Sequence, residues 1–517
     1  MAIQPKGASL NIANGIREFA VSMPSNLAVV DGDRSLTYAA LNDRSNRLGN
    51  AMLETGLAPG DRVGVVLGNR LEYPEVAAGL AKAGLTMVPI NPRLAPAEAE
   101  YILGHSAVKA LVLDDGRAEI AAPAVESLGI DVVLSIDGTQ LGPDYEAALN
   151  AAGSTDPAFI IDETEPFVIA YTSGTTGKPK GVMISHRSRC LTFMATALEW
   201  GLGPGSRTMA VAPMYHGAGF AFAYAAVHTG GTLTMLREWD PEQALDMVAA
   251  GRIQSMFLVP THAQMIRSLG DAALSKRDLS HLHTMYFNAA PFPFALKQWV
   301  IGAFPNVGLH EVYGSTEAGV VTCLRPPEQL RKPGSVGSPW FMTEVALLND
   351  HGSPVGPGEV GLLYSRSPFL MNGYLHDAEA TEECTTADGF LTAGDMARLD
   401  EDGFAYVVDR KKDMIISGGV NIYPREVEEV LHAHHAVDRV AVIGTPSEKW
   451  GEQVTAIVVV KAGAQATDEE LDSYCRASLA GYKVPRSYEF RDSLPTSAAG
   501  KTLKRDLREQ YGGQDPP

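Results

Sequence analysis

The stretch YTSGTTGKPKGVMISH, from Tyr171 to His186, gathers hydroxyls, three glycines and two lysines directly after the apolar run PFVIA. Glycines let a backbone approach a ligand closely and adopt positive φ, so that successive N–H groups can point at one anion. Threonine and serine hydroxyls add hydrogen-bond donors, and a lysine adds positive charge. The apolar run predicts a strand, so we interpret the stretch as a phosphate-binding loop at a strand end. Its composition alone also fits a flexible surface loop.

Strand-like and helix-like segments alternate on both sides of this loop. DRVGVVLG (61–68) is followed by the helical pattern YPEVAAGLAKAG (73–84) and then by LTMVPIN (85–91). Such a rhythm predicts parallel sheets covered by helices, which is an α/β layered fold. After about residue 333, closely spaced turn glycines and alternating apolar residues indicate a small β-rich subdomain.

The chain of 517 residues is longer than a single hydrophobic core usually supports, so we expect at least two domains. A dense charge cluster, DRKKD (409–413), follows the β-rich segment. Beyond it, helix and strand patterns predict a compact α+β domain, and its length is usual for a small domain. We place the domain boundary at this cluster.

The composition excludes several classes of protein. A formal charge of −19 repels nucleic acid and anionic membranes, so no nucleic-acid partner is expected. The four cysteines are far apart and form no CxxC, which favours reduced thiols in a cytosolic protein. The N-terminal residues lack the apolar region of a secretory signal, and the central apolar run 217–227 is too short to cross a bilayer. We therefore expect a cytoplasmic protein with no membrane span.

Four motifs resemble, in the same order, those of the adenylate-forming superfamily, which includes acyl-CoA synthetases, aryl-CoA ligases, beetle luciferases and peptide-synthetase adenylation domains. Their separations are similar to those in the family, and together they cover nearly the whole chain. The motifs are TSGTTGKPKG (172–181), YGSTEAG (313–319), TAGDMARLDEDGFAYVVDRKKDMI (392–415) and PTSAAGKTLKRDL (495–507).

The resemblance implies a two-step reaction that uses ATP, Mg²⁺ and coenzyme A. The carboxylate of an acid first joins the α-phosphate of ATP and expels pyrophosphate; a thiol, usually that of coenzyme A, then attacks the acyl-adenylate and expels AMP. Both steps develop charge on oxygen, so catalysis depends on positioned donors and cations. In the family the C-terminal domain closes in two orientations, one for each step. The resemblance thus implies an N-terminal domain over 1–409, a hinge over 410–412 pivoting at Lys412, and a mobile C-terminal domain over 413–517.

The resemblance assigns the nucleotide site residue by residue. Thr172 and Glu317 are expected to act in catalysis, and Glu317 to hold Mg²⁺, whose preference for oxygen ligands suits a carboxylate. Lys501 is expected to neutralise the charge between the reacting carboxylate and phosphate. Asp395 and Arg410 are expected to bind the ribose. The remaining predicted ATP or AMP contacts are Ser173, Gly174, Thr175, Thr176, Gly177, Lys180, Asn288, Ala289, Ala290, Pro291, Tyr313, Gly314, Ser315 and Thr316.

The resemblance also implies an acyl pocket and a coenzyme A site. His216 is similar to the aromatic or histidine gate of acyl- and aryl-CoA ligases and is counted with the catalytic residues; Gly217, Phe220, Val259 and Asn288 are expected to line the pocket. Asn288 stands where the family more often has glycine, so the resemblance does not decide which residues form the wall of the adenine or acyl pocket. The predicted contacts of coenzyme A are Gly418, Gly419, Trp450, Tyr482 and Lys483.

The segment PMYHGAGF (213–220) narrows the class of acid. Amino-acid-activating relatives usually carry an aspartate there for the α-ammonium group, and this segment has no acidic residue; because a buried unpaired ammonium is costly, amino acids are disfavoured. Its small residues leave room for a bulky apolar acid, namely a medium- or long-chain, aryl or polycyclic one. Two alternatives stay open: a stand-alone enzyme that loads a carrier protein, and an enzyme that runs only one half-reaction. A homodimer also stays open.

Overall fold

The computed structural model describes residues 9–157, 159–172, 178–290, 292–418, 420–496 and 502–512. The chain divides into two compact units, each built from helices and strands. The first comprises Met1–Glu344 and Ser365–Leu391, and the second comprises Val345–Tyr364 and Thr392–Pro517. The expected mixed α/β fold with one large and one small part is confirmed. The predicted hinge at 410–412 lies inside the second unit, and the predicted domain limits stay a prediction.

Helices and strands alternate along much of the chain. The strands are β1 Leu27–Asp31, β2 Arg34–Thr37, β3 Arg62–Val66, β4 Thr86–Pro89, β5 Ala110–Asp114, β6 Val132–Ile136, β7 Pro166–Thr172, β8 Lys180–Ser185, β9 Arg207–Ala210, β10 Thr232–Met235, β11 Ser255–Leu258, β12 Thr284–Phe287, β13 Gly308–Ser315, β14 Gly319–Leu324, β15 Ser338–Pro339, β16 Glu344–Leu348, β17 Val360–Arg366, β18 Gly373–Tyr374, β19 Leu391–Leu399, β20 Ala405–Arg410, β21 Ile415–Ser417, β22 Val420–Ile422, β23 Val437–Ser447, β24 Gly451–Val460 and β25 Ser487–Phe490. The helices are α1 Asn14–Ser22, α2 Tyr38–Glu54, α3 Glu72–Lys82, α4 Pro96–His105, α5 Ala118–Leu128, α6 Tyr145–Ala151, α7 His186–Trp200, α8 Gly217–His228, α9 Pro241–Ala249, α10 Pro260–Ser268, α11 Asp271–Ser275, α12 Phe294–Ala303, α13 Ala378–Glu383, α14 Pro424–His432, α15 Asp468–Ser478 and α16 Lys504–Gln510.

The first unit contains a seven-stranded sheet with the order β18-β8-β7-β4-β3-β5-β6. Strands β7, β4, β3, β5 and β6 are parallel, whereas β8 and β18 extend one edge in antiparallel fashion. Strands β3, β4 and β5 are buried along nearly their whole length, as expected of a parallel sheet that helices cover on both faces. The strand–helix–strand prediction for 61–91 is confirmed as β3, α3 and β4.

The first unit also contains a nine-stranded sheet with the order β15-β14-β13-β12-β11-β9-β10-β1-β2. Its six central strands, β13 to β1 in that order, are parallel. Their carboxyl ends therefore lie along one edge, which is where open α/β sheets bind ligands. Buried apolar side chains of β11 and β12 pack with those of α9, α10 and α12 into one core.

The apolar segment 217–227 forms helix α8, and its residues from 219 onward are buried in the first unit. The segment therefore belongs to a core. Among the residues that the structure describes, no helix is both long enough and apolar enough to cross a bilayer.

The second unit contains two sheets. The four-stranded sheet β16-β17-β19-β20 is the predicted β-rich segment. The other sheet has the order β22-β21-β24-β23, with β25 beside β24. Long strands β23 and β24 form an antiparallel pair, and α14 and α15 add apolar side chains to the core beside them. The α+β character predicted for the C-terminal part is thus observed.

Candidate functional site

The predicted phosphate loop connects two paired strands of the seven-stranded sheet. Strands β7 and β8 form an antiparallel ladder in which Thr172 lies directly opposite Lys180. The ladder therefore brings the two ends of the loop side by side. The predicted contacts Ser173, Gly174, Thr175, Thr176 and Gly177 lie outside the described residues.

Lys180 is held by a segment that the sequence analysis did not single out. Its Nζ lies 3.0 Å from Asp377 Oδ2 and 5.0 Å from the centre of the Tyr374 ring. A cavity of about 120 Å³ opens beside it. Two lysines and a histidine contribute to its wall, so it presents positive charge and donors. The lining residues are Tyr101, His105, Lys178, Pro179, Lys180, Leu375 and Asp377.

His105 is one of the polar side chains in this wall. Burial, together with the neighbouring His376, lowers its pKa below the usual histidine value. Its Nδ1 lies 2.7 Å from the Tyr171 hydroxyl, which is one residue before Thr172. The imidazole therefore packs against the strand that leads into the phosphate loop.

The motif YGSTEAG forms a tight hairpin between β13 and β14, and glycine is required at two of its positions. A β-carbon on Gly314 would lie 2.0 Å from the Gly319 carbonyl oxygen. Gly319 has φ +67°, and a β-carbon there would lie 2.7 Å from Phe369 Cβ. The Ala318 N–H donates to Ser315 Oγ over 3.0 Å and closes the turn. The two glycines thus allow the turn to fold and the 369 segment to approach it.

Glu317 lies in this turn and has two contacts with the segment that follows Phe369. The Tyr374 hydroxyl donates to Glu317 Oε1 over 3.1 Å, and the Met371 N–H donates to the Glu317 carbonyl over 2.8 Å. Burial and the nearby carboxylate of Glu317 raise the pKa of Tyr374 well above its usual value. Tyr374 and Asp377 were not predicted, because their partners are distant in sequence and no local pattern marks them.

The predicted acyl residues follow the carboxyl ends of neighbouring parallel strands. Val259 follows β11 and Asn288 follows β12, and the Asn288 N–H donates to the Leu258 carbonyl over 3.4 Å. His216 lies in the segment between β9 and α8 and is the N-cap of α8. Tyr313 lies near the end of β13, the next strand of the same sheet. The predicted acyl and adenine residues thus share one edge of the nine-stranded sheet.

The start of α8 lies directly against the YGSTEAG turn. A β-carbon on Gly217 would lie 3.8 Å from Thr316 Cγ2 and 3.9 Å from Thr316 Oγ1. Gly219 is required for a different reason, because a β-carbon there would lie 2.1 Å from the Pro213 carbonyl oxygen. Phe220 is buried and stacks on Phe167 and Tyr224, so its ring lies in an aromatic core.

The loop after β12 contains a strained backbone. Ala289 has φ +75°, a conformation that costs a residue with a β-carbon about 1–2 kcal/mol. The Ala289 N–H donates to the Asn288 side-chain oxygen, and Ala289 and Ala290 are exposed. The predicted contact Pro291 lies outside the described residues.

The two predicted ribose contacts are neighbours in the second unit. Asp395 on β19 lies directly opposite Arg410 on β20, and Arg410 Nε is 3.2 Å from Asp395 Oδ1. The predicted hinge residue Lys412 lies in a single 3₁₀ turn, Lys411–Asp413. The predicted catalytic Lys501 lies outside the described residues.

Of the predicted coenzyme A residues, Gly418 lies against Trp450. Gly418 has φ +60°, and a β-carbon there would lie 2.8 Å from Trp450 Cε3. The Arg486 guanidinium carbon is 4.5 Å from the centre of the Trp450 ring, and Lys449 Nζ is 4.9 Å from it. Neither cation was predicted from the sequence.

Two further predicted coenzyme A contacts, Tyr482 and Lys483, precede β25. Tyr482 is exposed, and Lys483 Nζ lies 5.7 Å from the centre of its ring. Lys483 Nζ also donates to both carboxylate oxygens of Glu426 over 2.6 and 2.7 Å. The predicted contact Gly419 lies outside the described residues.

Comparison with known proteins identifies the family. The profile of the AMP-binding enzyme family matches residues 16–375, and that of the AMP-binding enzyme C-terminal domain matches residues 426–501. A feruloyl-CoA synthase from Amycolatopsis sp is 36% identical over 491 residues, which cover 95% of this chain and 96% of that protein. The fatty acid–acyl-carrier-protein ligase ScoC from Streptomyces coeruleorubidus is 32% identical over 501 residues, which cover 95% and 94%.

A solved structure agrees with this match along the whole chain. ATP-bound MatB from Rhodopseudomonas palustris has a TM-score of 0.88 and 28% sequence identity, and the match covers 97% of this chain and 99% of that chain. The chain therefore belongs to the AMP-binding enzymes of the adenylate-forming superfamily, in the branch of acyl-CoA synthetases and aryl-CoA ligases.

Proposed function

We propose that the protein is an ATP-dependent acid–CoA ligase. It joins a carboxylate to AMP with release of pyrophosphate, and the thiol of coenzyme A then attacks the acyl-adenylate and releases AMP. The observation that carries the proposal is the arrangement at the sheet edge of the first unit. There Gly217 lies against Thr316, and Val259 and Asn288 follow adjacent strands. An acid and an α-phosphate bound at this edge would be neighbours, as the first step requires.

The phosphate side of the reaction is assigned to the β7–β8 hairpin. Thr172 and Lys180 lie opposite each other at its ends, so a hydroxyl and an ammonium group would face a phosphate bound by the loop. A cation placed there stabilises the negative charge that develops on the departing pyrophosphate. The loop residues 173–177 are proposed to complete these contacts with their N–H groups and hydroxyls.

Glu317 is proposed to hold Mg²⁺. Its carboxylate is an oxygen ligand, and Mg²⁺ is commonly bound through one or two carboxylates together with substrate phosphates. The hydrogen bond from Tyr374 occupies one side of Oε1, and a carboxylate offers about four acceptor positions. When bound, the ion would neutralise phosphate charge. The donor chemistry at Glu317 therefore fits this ion.

The second unit is proposed to bind the ribose and coenzyme A. The carboxylate of Asp395 only accepts hydrogen bonds, and the guanidinium of Arg410 only donates them. Together they can bind both hydroxyls of the ribose. Trp450, with the cations of Lys449 and Arg486 on its ring, offers an aromatic and positively charged surface for the nucleotide part of coenzyme A. Lys412 is proposed as the pivot between the two half-reactions.

A bulky apolar acid is the proposed substrate. The names of two relatives specify a feruloyl group and a fatty acid, both larger and more apolar than acetate. Gly217 at the start of α8 brings no side chain to the region beside Thr316. The class that fits is a medium- or long-chain, aryl or polycyclic carboxylic acid.

A second candidate function differs only in the acceptor. ScoC is named as a ligase that uses an acyl-carrier protein, and its similarity to this chain is nearly as extensive as that of the feruloyl-CoA synthase. The adenylation step would be unchanged in such an enzyme. Only the second half-reaction separates the two candidates.

The test is mass spectrometry of products formed from ATP, Mg²⁺, coenzyme A and a panel of carboxylic acids. We expect acyl-AMP when coenzyme A is omitted, and acyl-CoA with AMP when it is present. Acyl-AMP that persists with coenzyme A but disappears with an acyl-carrier protein would favour the second candidate. Acetate as the best acid would refute the proposed substrate class, and absence of any acyl-AMP would refute the function.

Lys501→Ala separates the half-reactions. We propose that Lys501 neutralises charge in the first step only, so the variant should lose carboxylate-dependent pyrophosphate release. It should largely keep thiolysis of a supplied acyl-adenylate. The exposed Lys276 offers a control variant, Lys276→Ala, which should lose neither activity. Equal losses in both half-reactions would contradict the assignment of Lys501.

A further inference from the structure

The short strand β18 places one tyrosine between two parts of the proposed phosphate site. Its residues pair with β8, and Tyr374 lies opposite Val182 in this ladder. The neighbouring residues strengthen the pairing, because the Asn372 N–H donates to the Met183 carbonyl and the Leu375 N–H to the Gly181 carbonyl, each over 2.8 Å. Tyr374 is therefore held beside β8, the strand that begins with Lys180.

Tyr374 contacts both charged groups of the phosphate site with different parts of its side chain. Its hydroxyl donates to Glu317 Oε1 over 3.1 Å, and its ring lies 5.0 Å from Lys180 Nζ. The negative face of an aromatic ring attracts an ammonium group, and a carboxylate accepts from a phenol. One side chain thus faces an anion at its tip and a cation on its ring.

The surroundings leave these contacts little freedom. The Glu317 main chain is bound by the Met371 N–H, three residues before Tyr374, so the hairpin turn and the segment are joined at two points. Asp377 accepts from the Ala380 N–H with Oδ1 and pairs with Lys180 through Oδ2. The phenol is half-buried, and its hydroxyl donates to Glu317 Oε1.

We propose that Tyr374 is a positioning residue for the adenylation step: its hydroxyl orients the Glu317 carboxylate, and its ring positions the Lys180 ammonium. This inference rests on the proposed function, because the roles of Glu317 and Lys180 come from it. The two functions of the side chain are separable by substitution. Tyr374→Phe removes the hydroxyl and keeps the ring, whereas Tyr374→Leu removes both.

The hydroxyl is tested with Mn²⁺ as the probe in place of Mg²⁺, using the full chain with ATP and no acid. Electron paramagnetic resonance then measures the dissociation constant of Mn²⁺ from the protein–ATP complex. A hydrogen bond to a charged group predicts that Tyr374→Phe raises this constant about tenfold or more. Tyr145→Phe is the matched control, because the Tyr145 hydroxyl donates to the carboxylate of Glu75 elsewhere in the first unit. It should leave the constant unchanged.

A double-mutant cycle distinguishes direct orientation of Glu317 from a general structural effect. If the hydroxyl acts through Glu317, the variant Glu317→Gln combined with Tyr374→Phe should bind Mn²⁺ no more weakly than Glu317→Gln alone. Two results would overturn this part of the proposal. One is a double variant in which the increases of the dissociation constant caused by the two substitutions multiply. The other is a Tyr374→Phe protein that binds Mn²⁺ as tightly as the wild type does.

The ring is tested by the affinity for ATP without a metal, measured by calorimetry. Tyr374→Leu should bind metal-free ATP several-fold more weakly than Tyr374→Phe, because only the first variant loses the contact with Lys180. Equal affinities would overturn the role of the ring. If the leucine variant does not fold, Tyr374→Met, which keeps a side chain of similar length, replaces it.

Different results would refute the proposed function and the proposed role of Tyr374. A wild-type chain that forms no acyl-AMP from any acid would refute the proposed function, and the Mn²⁺ cycle with ATP would still decide the role of Tyr374. A wild-type chain that is active, with additive Mn²⁺ effects in the cycle, would refute the role of Tyr374 alone.

Discussion

Gly217 faces Thr316 across a gap that one methyl group would fill, because a β-carbon on the glycine would lie 3.8 Å from Thr316 Cγ2. This distance is an ordinary van der Waals contact, so the backbone can accept alanine at position 217. Helix α8 begins at this residue, and the YGSTEAG turn contains Thr316. The contact joins the proposed acyl and phosphate sites in the first unit.

Gly217→Ala should therefore change substrate use more than folding. The added methyl group reduces the space beside Thr316, and one methyl group in an apolar pocket changes transition-state binding by about 1–3 kcal/mol. We expect kcat/KM for a bulky acid to fall roughly 10- to 200-fold, and that for a short acid to change less. Steady-state kinetics with acids of increasing size make the measurement.

The control for this substitution is Gly302→Ala at the end of α12. A β-carbon there meets nothing within 4 Å, so neither activity nor stability should fall. Equal losses for short and bulky acids in Gly217→Ala would show that the position does not limit the size of the acid.

Because Lys82 is buried, we expect the free energy of unfolding to rise at alkaline pH. The side chain is fully buried, and its Nζ donates to Asn42 Oδ1, Asn46 Oδ1 and Ser45 Oγ, which are neutral acceptors. Burial lowers its pKa from 10.5 to about 7. Between these values the unfolded chain binds a proton that the folded chain has lost, so the free energy of unfolding rises with pH by about 1.4 kcal/mol per unit.

The measurement compares the wild type with Lys82→Met in urea denaturation at pH 7, 8 and 9. Because other groups titrate in both proteins, the difference in unfolding free energy isolates Lys82. This difference should shift in favour of the wild type as the pH rises. A difference that does not depend on pH would show that the folded lysine keeps its proton.

His228 predicts a dependence of the same sign in a lower pH range, between about 4 and 6.5. It is buried at the end of α8, its Nδ1 lies 3.0 Å from the Ile12 carbonyl oxygen, and burial lowers its pKa from 6.5 to about 4. As the pH falls from 6.5 towards 4, the unfolded chain takes up a proton and the folded chain does not. The free energy of unfolding should therefore fall by about 1.4 kcal/mol per unit from this residue.

His228→Asn tests this expectation, because its amide can still donate to Ile12 but does not titrate. Denaturation between pH 6.5 and 4.5 should show a flatter decline than in the wild type. His281→Asn changes an exposed histidine of the same unit and should decline like the wild type. The prediction fails if both variants lose stability in parallel with the wild type.

The sheet edge of the proposed site could be predicted from sequence, because its residues follow strong local patterns. The apolar runs at 255–258 and 284–287 form strands β11 and β12, and the residues after them, Val259 and Asn288, lie at adjacent carboxyl ends. The run 217–227 was expected to be too short for a membrane span, and the structure shows helix α8 buried from residue 219 onward. Local periodicity indicates the strands, whereas the roles of Val259 and Asn288 were implied by the resemblance to the family.

Contacts between distant segments could not be predicted. Tyr374 meets Glu317 across 57 residues of sequence, and β18 that holds it has only two residues, too few to form a pattern. Likewise, the resemblance suggested Lys483 as a coenzyme A contact, but the sequence did not reveal that Glu426 accepts hydrogen bonds from it. The partner of a charged surface residue depends on tertiary packing, and a single sequence does not contain that information directly.

The pairing of Lys483 leads to a prediction about coenzyme A. Both oxygens of Glu426 already accept from Lys483, whereas the cations of Lys449 and Arg486 lie over the faces of Trp450. A phosphate of coenzyme A would have to displace a carboxylate to reach Lys483. In the described part of the chain, no carboxylate is paired with Lys449 or Arg486. Arg486→Ala should therefore raise the KM for coenzyme A about tenfold, the effect of losing one charge-assisted hydrogen bond, and Lys483→Ala should raise it less.

The measurement is the rate of acyl-CoA formation against coenzyme A concentration at saturating acid and ATP. Pyrophosphate release without coenzyme A serves as the internal control and should be the same in both variants and the wild type. A larger increase of KM in Lys483→Ala would mean that the lysine leaves Glu426 when coenzyme A binds. If Arg486→Ala lost pyrophosphate release as much as acyl-CoA formation, the arginine would act in the adenylation step. The Trp450 surface would then not be a site for coenzyme A alone.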